Sequence, residues 1–254
     1  MIPKDEIKDF LDFKVLEFNR PEFIELDPIS IPHRYEVKED IEISAFITAT
    51  ISWGNRKAIL KSGNKLFDQF GDSPYDFIMN SKHAQLDKVS DFYYRTFNGI
   101  DLLYFLKALK NIYSKHGGME ILFTQHAADN LHDSITEFRT IFFELEHNER
   151  TKKHVSNPAS GSAAKRLHMM LRWLVRKDNS GVDFGLWKEI DPSQLSIPLD
   201  IHSGNTARKL GLLNRKQNDL RAVRELDSVC RIFDPNDPAK YDFALFGLGV
   251  NERF

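Results

Sequence analysis

The run over residues 41–53, IEISAFITATISW, is apolar on nearly every side when wound at helical pitch. A helix of that kind has no face to give to water. It needs other elements around its whole girth, so it predicts a buried central helix and a core built by helix packing. Glu39 and Asp40 stand just ahead of it, where acidic side chains favour a helix N-terminus. Gly54-Asn55 supplies a sharp bend after it, and helical spacing resumes over 57–67.

The rest of the chain is consistent with that constraint. Residues 1–18 repeat apolar side chains at helical spacing through Ile7, Phe10, Leu11, Val15 and Phe18, and Pro21, Pro28 and Pro32 break the segment that follows. The spacing predicts a helix over 92–113, stopped by Gly117-Gly118, and another through Ile135, Phe138, Ile141, Phe142 and Leu145. A polar patch over 154–162 precedes a basic helix over 163–176, and a turn-rich DPNDPAK leads into the apolar segment 241–246. No repeat, low-complexity tract or flexible linker interrupts the pattern. The expected fold class is all-α. The expected organisation is one compact helical unit over 1–254, with the alternative of two packed lobes, about 41–149 and about 150–254 plus the N-terminal helix.

Composition narrows the function classes. No apolar stretch approaches the roughly 20 residues that span a bilayer, and the N-terminus lacks the basic head and apolar run of a signal peptide. Cys230 is the only cysteine, which leaves no disulfide, no four-cysteine iron–sulfur cluster and no cysteine-based zinc site. It reads as a small buried side chain in a reducing, cytoplasmic protein. The histidines offer no helical pair joined to a carboxylate, and His126 and His132 fall on different faces, so no metal is expected. Phosphate loops, dinucleotide fingerprints and nucleophile elbows are absent. The net charge of −2 conceals an asymmetry: residues 1–149 hold 17 Lys and Arg against 25 Asp and Glu, and residues 150–254 hold 18 against 12. Residues 150–177 contain eight basic side chains and no acidic one. Such a tract is either a solvated helix face or the footprint of a polyanion.

Two residues in the second half carry possible chemistry. Lys165 lies in the basic helix, on one stripe with Met169, Arg172 and Arg176. A lysine among other cations loses its proton more readily and becomes an amine nucleophile near neutral pH, although a helix lysine is more often a solvated charge. Asp200 ends the short approach Ile197-Pro198-Leu199 and reads as the N-cap of the next helix. His202, Ser203, Gly204 and Asn205 follow it, where a helix N-terminus can receive a phosphate.

The segment LDIHSGNTARKLGL resembles the VDTHVxRVxxRLGL segment of helix-hairpin-helix DNA glycosylases of the endonuclease III type, keeping the carboxylate, the histidine two residues on and the Leu-Gly-Leu close at the same spacing. Gly161-Ser162-Ala163-Ala164-Lys165 is similar to that superfamily's G-x-G-x-K junction in its first glycine and its lysine. The buried helix ending in SWGN resembles the apolar helix that lines the family's base pocket. Residues 156–163 stand where the hairpin consensus L-P-G-V-G is expected, and the lysine-to-aspartate interval is longer than in endonuclease III. Both features point to the archaeal 8-oxoguanine glycosylase branch, whose Asp-x-x-x-Trp pair corresponds to Asp242 and Phe246 here. The string YDFALFGLG is also similar to a bacterial family of conserved hypothetical proteins, of which the chain is identified as a member.

The resemblance implies a two-lobed helix-hairpin-helix fold and a bifunctional DNA glycosylase and AP lyase that removes a damaged base of the oxidised-purine type. It implies Lys165 as the Schiff-base nucleophile and Asp200 as the carboxylate that stabilises positive charge on the sugar. Trp53, Met169, Asp242 and Phe246 would meet the extruded base, and Lys152, Lys153, Ser160, Gly161, Ser162, Arg166, Arg172 and His202 would hold phosphates, with the backbone donors near 160–163 contributing. The implied partner is damaged duplex DNA in the bacterial nucleoid. No cofactor, iron–sulfur cluster or membrane is expected, and a monomer is favoured. Two other readings stay open: a non-catalytic nucleic-acid-binding protein of the same fold, and a monofunctional glycosylase acting on RNA or a nucleoside.

Overall fold

A computed structural model describes residues 4–125, 127 and 130–252. Helices account for 66% of the chain and strands for 2%, so the expectation of an all-α protein holds. None of the described helices is long and apolar enough to cross a membrane. His126, one of the two histidines weighed as metal ligands, lies outside the described residues.

In chain order the helices are α1 (Lys4–Phe18), α2 (Glu22–Leu26), α3 (Lys38–Ile51), α4 (Arg56–Phe70), α5 (Pro74–Asn80), α6 (His83–Ser90), α7 (Gly99–Lys115), α8 (Met119–Thr124), α9 (His132–Phe142), α10 (Lys165–Val175), α11 (Ile201–Lys209), α12 (Leu220–Phe233) and α13 (Tyr241–Asn251). The strands β1 (Tyr93–Tyr94) and β2 (Phe97–Asn98) pair antiparallel. The chain divides into two compact units. The first comprises Met1–Phe23, Ala127–Asp133 and Asn157–Phe254, and the second Ile24–His126 and Ser134–Ser156.

The second unit is organised around α3, in which every residue from Asp40 to Ile51 is buried. Phe46 stacks on Phe105 at 5.5 Å between centroids and meets the edges of Phe138 and Phe142, each at 5.4 Å. Offset and edge contacts of this kind add to the area that the rings bury. The helix expected over 92–113 begins later than its apolar pattern suggests. Arg95 takes a left-handed turn (φ 55°) that closes the small hairpin. Asn98 then starts α7 with a capping box, in which its side chain accepts from Asp101 N–H and Asp101 accepts in return. Turn chemistry overrides hydrophobic spacing there.

The first unit packs α13 against α1 and α11. Two glycines permit the approach. A Cβ on Gly247 would lie 2.2 Å from the Phe18 ring, and one on Gly249 would lie 3.0 Å from Thr206 Oγ1 and 3.1 Å from His202 Cβ. Leu11, Val15, Leu199, Ala207, Leu226, Leu245 and Leu248 close the core among these helices and α12.

Candidate functional site

Lys165 is the first residue of α10, and the residue that introduces it is unusual. Ala164 sits in the left-handed region (φ 44°, ψ 36°), a conformation costing a non-glycine residue about 1–2 kcal/mol. Gly161, at φ 84°, makes the preceding turn after the short 3-10 segment Pro158–Ser160. The strained junction starts α10 at Lys165 and leaves that side chain half-buried. Its Nζ lies 3.5 Å from Met169 Sδ, a weak acceptor. Among the described residues no carboxylate comes within ion-pair distance of it.

Asp200 caps α11 as its position predicted. Ile197 and Leu199 are buried and fix the approach, and one carboxylate oxygen, Oδ1, accepts from His202 N–H at 2.8 Å and Ser203 N–H at 2.9 Å. Among the described residues no donor reaches the other oxygen, Oδ2, so the cap holds the group while leaving half of it available. Ser203 also faces the other way: its hydroxyl donates to Asp242 Oδ1 at 3.2 Å. The structure therefore brings α10, α11 and α13 together around three charged groups. Asp242 is buried, and burial raises its carboxyl to about 6, with Arg172 and Lys165 opposing that rise and the Asp200 charge adding to it.

Arg172 requires a correction. Expected to hold a phosphate, it is instead only 3% exposed, donates to Asp242 and, at 3.3 Å, to Asp183, and lies over the Phe243 ring at 4.2 Å. Arg176 behaves alike, bonding Asp237 and Asp183 at 3.0 and 3.1 Å and also Asp178. Half of the eight basic residues of the tract are thus paired to carboxylates. Arg150 pairs with buried Asp101 at 2.6 Å and Lys152 with Glu149 at 2.8 Å. The two arginines at and just beyond the end of α10 can lie inward because carboxylates meet them, Asp178 and Asp183 from the segment just after the helix and Asp237 and Asp242 from more than 60 residues away.

The turn before α10 also departs from expectation. The N–H groups of Ser160 and Ser162 donate to the Asn157 carbonyl, and that of Gly161 to the Pro158 carbonyl at 2.8 Å. Those donors serve the turn and have none to give a phosphate. The Ser162 hydroxyl accepts from Ala164 N–H at 3.2 Å. Ser160 and Gly161 are exposed, and Arg166 is half-buried, with burial pushing its guanidinium down to about 10.

Of the expected base-pocket residues, Met169 is buried beside Lys165. Asp242 has both oxygens engaged, by Ser203 and Arg172, so it is not free to read a base edge. Phe246 is half-buried and meets exposed His202 edge-on at 6.2 Å. Trp53, Lys152 and Lys153 belong to the second unit. There Trp53 meets Tyr94 edge-on at 5.3 Å, its carbonyl accepts from the Tyr94 hydroxyl at 2.7 Å, and Lys153 is exposed.

The arrangement in the first unit offers an amine without a carboxylate partner, a capped carboxylate with a free oxygen and a buried carboxyl behind it. Among the described residues no cluster of three or more metal-binding side chains occurs. No curated protein and no solved structure matches the chain. A family model described as protein of unknown function (DUF2400) matches residues 27–251. With the helices that carry Lys165, Asp200 and Asp242 all inside that match, the chain belongs to the DUF2400 family.

Proposed function

We propose that this protein is an N-glycosylase with lyase chemistry on damaged DNA, built on a helix-hairpin-helix glycosylase fold whose hairpin is the turn over 156–164. The observation that carries the reading is a Lys165 amine that meets no carboxylate at ion-pair distance among the described residues, with a capped Asp200 nearby and both charges acting on buried Asp242. The target carbon of a stacked nucleotide is out of reach, so the nucleotide is extruded first. Lys165, as the free amine, then attacks C1′ of the deoxyribose. The N-glycosidic bond breaks and the base departs with the bonding electron pair. Asp200 Oδ2 stabilises the positive charge that develops on the sugar and takes up the proton lost from the attacking amine. Opening of the sugar gives the imine. Loss of a 2′ proton then expels the 3′ phosphate and nicks the strand.

Borohydride trapping tests this. Oligonucleotides containing 8-oxoguanine, thymine glycol, uracil or an abasic site are the substrates, with wild type, Lys165→Gln and Asp200→Asn compared. Wild type should form a covalent adduct with at least one of them, and Lys165→Gln with none. Asp200→Asn keeps an acceptor at the cap and should slow base release by about 100- to 1000-fold. Absence of any wild-type adduct, or equal trapping by Lys165→Gln, overturns the assignment.

One observation favours a second reading. With Arg150, Lys152, Arg172 and Arg176 all paired to carboxylates, the basic tract holds less charge for a duplex backbone than its composition suggests. A glycosylase acting on RNA or a nucleoside needs fewer phosphate contacts, and it would release base without cutting a strand.

A further inference from the structure

The segment between α11 and α12, residues 214–219, has no part in the chemistry above, yet it touches both elements that carry it. Asn218 donates through Nδ2 to the Asp200 carbonyl at 2.8 Å and accepts at Oδ1 from Arg208. Arg208 in turn donates to the Arg215 carbonyl at 2.8 Å, and Arg215 pairs with Asp219. One residue further, Asp219 forms a backbone bridge with Ser162, and Leu220 N–H donates to the Gly161 carbonyl at 3.0 Å. Within six residues the segment grips the peptide of Asp200 and the turn that launches Lys165.

Asn218 is exposed, and an exposed amide has water as an alternative partner, so general stability does not call for this bond. Its placement has a cost elsewhere. Gly204 lies inside α11, where glycine is about 0.5–1 kcal/mol worse than alanine. A Cβ there would come within 2.8 Å of Asn218 Oδ1 and 2.9 Å of Arg208 Nη1. The helix gives up local stability at a position where a side chain would push Asn218 away.

We propose that Asn218 is a positioning residue that holds the Asp200 cap in register with the Lys165 turn, and that Gly204 is there to admit it. The proposal rests on the glycosylase reading for its catalytic meaning, and on geometry alone for the clamp. The Asp200 charge is needed to stabilise the sugar while the base departs, whereas at a preformed abasic site only the amine's proton is left for it to accept, and water can take that proton instead. Loss of the clamp therefore separates two rates that global damage would lower together.

The experiment compares wild type, Asn218→Ala and Gly204→Ala in the full chain. Amide hydrogen exchange is read at His202 and Ser203, whose N–H groups bond to Asp200. Both variants should exchange there at least tenfold faster than wild type, with the α12 and α13 amides unchanged and the melting temperature of Gly204→Ala equal or higher. On a damaged-base oligonucleotide both should release base at least tenfold more slowly, while trapping on an abasic oligonucleotide stays within twofold. Unchanged exchange at His202 and Ser203 overturns the clamp, whatever the activity. Faster exchange with base release and abasic trapping lowered equally overturns the positioning role. A wild type inactive on every oligonucleotide sinks the glycosylase reading, and the exchange data then decide the clamp by themselves.

Discussion

Replacing His168 by leucine should tilt the dependence of stability on pH in a direction that an ordinary histidine would not allow. The His168 ring is fully buried in α10 and its two nitrogens have no hydrogen-bond partner among the described residues. It meets His132 edge-on at 5.2 Å. Burial pushes its imidazole down from 6.5 to about 3, helped by His132 and Arg231, and pushes His132 down to about 4, helped by Arg224. Two carboxyls in the same unit move the other way, since burial raises both Asp227 and Asp242 from 3.8 to about 6, and burial also raises a third, Asp183. Between about pH 4.5 and 6 the unfolded chain therefore holds protons on the two imidazoles, and the fold holds protons on the two carboxyls. A group lowered in the fold favours unfolding as pH falls, and a carboxyl raised in the fold favours unfolding as pH rises. The other shifted carboxyls set a background slope common to wild type and variant, so the difference between their profiles reports the imidazole alone. His168→Leu removes one imidazole, and its stability should fall relative to wild type by about 1.4 kcal/mol per pH unit as pH rises, or about 2 kcal/mol across the window. Urea unfolding at half-unit steps from pH 4.5 to 7 reads this directly. Asp227→Asn supplies the mirror image, a profile that rises with pH relative to wild type. Parallel curves for wild type and His168→Leu would mean that His168 titrates alike in both states, and the argument from burial would fail.

Two further outcomes follow from the same geometry. Arg172→Met deprives Asp242 of its only cationic hydrogen-bond partner while Asp183 keeps Arg176 at 3.1 Å. The loss should be about 3–5 kcal/mol at neutral pH and smaller near pH 5, where Asp242 is protonated, as thermal melts at the two pH values would show. Ala164→Gly relieves the left-handed alanine ahead of Lys165; allowing for the greater freedom of glycine when unfolded, it should stabilise by up to about 1 kcal/mol, seen as a rise in urea midpoint, and an unchanged midpoint would show that the junction stores no strain.

The sequence disclosed the helices where one signal dominated. The all-round apolar run of α3, the stripe of Ile7, Leu11 and Val15 in α1, and the Asp200 cap after a buried extended approach are all local patterns and appear where local reasoning places them. The basic tract misled for an equally physical reason. Whether an arginine is a surface charge or a buried one depends on carboxylates far along the chain, and nothing near Arg172 announces Asp242, 70 residues away. A clue existed in the spacing, because Arg172 lies in the last turn of a helix whose other residues from Leu167 to Val175 include few polar groups, and Arg176 follows directly after it. Asn218 was invisible for a different reason: its importance lies in two bonds to the neighbouring helix and in a glycine opposite it, and neither composition nor periodicity encodes such a match. The β1–β2 hairpin was hidden by the apolar spacing of its own residues.

The packing of α13 between α1 and α11 has a consequence for how the molecule comes together. More than two hundred residues separate Phe18 from Tyr241, so the contact that seats the helix bearing Asp242 closes one of the longest loops in the described chain. Loop closure of this kind is entropically expensive before it is rewarded, and it slows a folding reaction more than it weakens the product. The segments carrying Lys165 and Asp200 lie close in sequence to the 214–219 segment that joins them, and they can associate early. The carboxyl behind them arrives only when the two most distant helices of the first unit meet. On refolding, helical signal should therefore precede the burial of Asp242, the last group of the Lys165 and Asp200 cluster to reach its place.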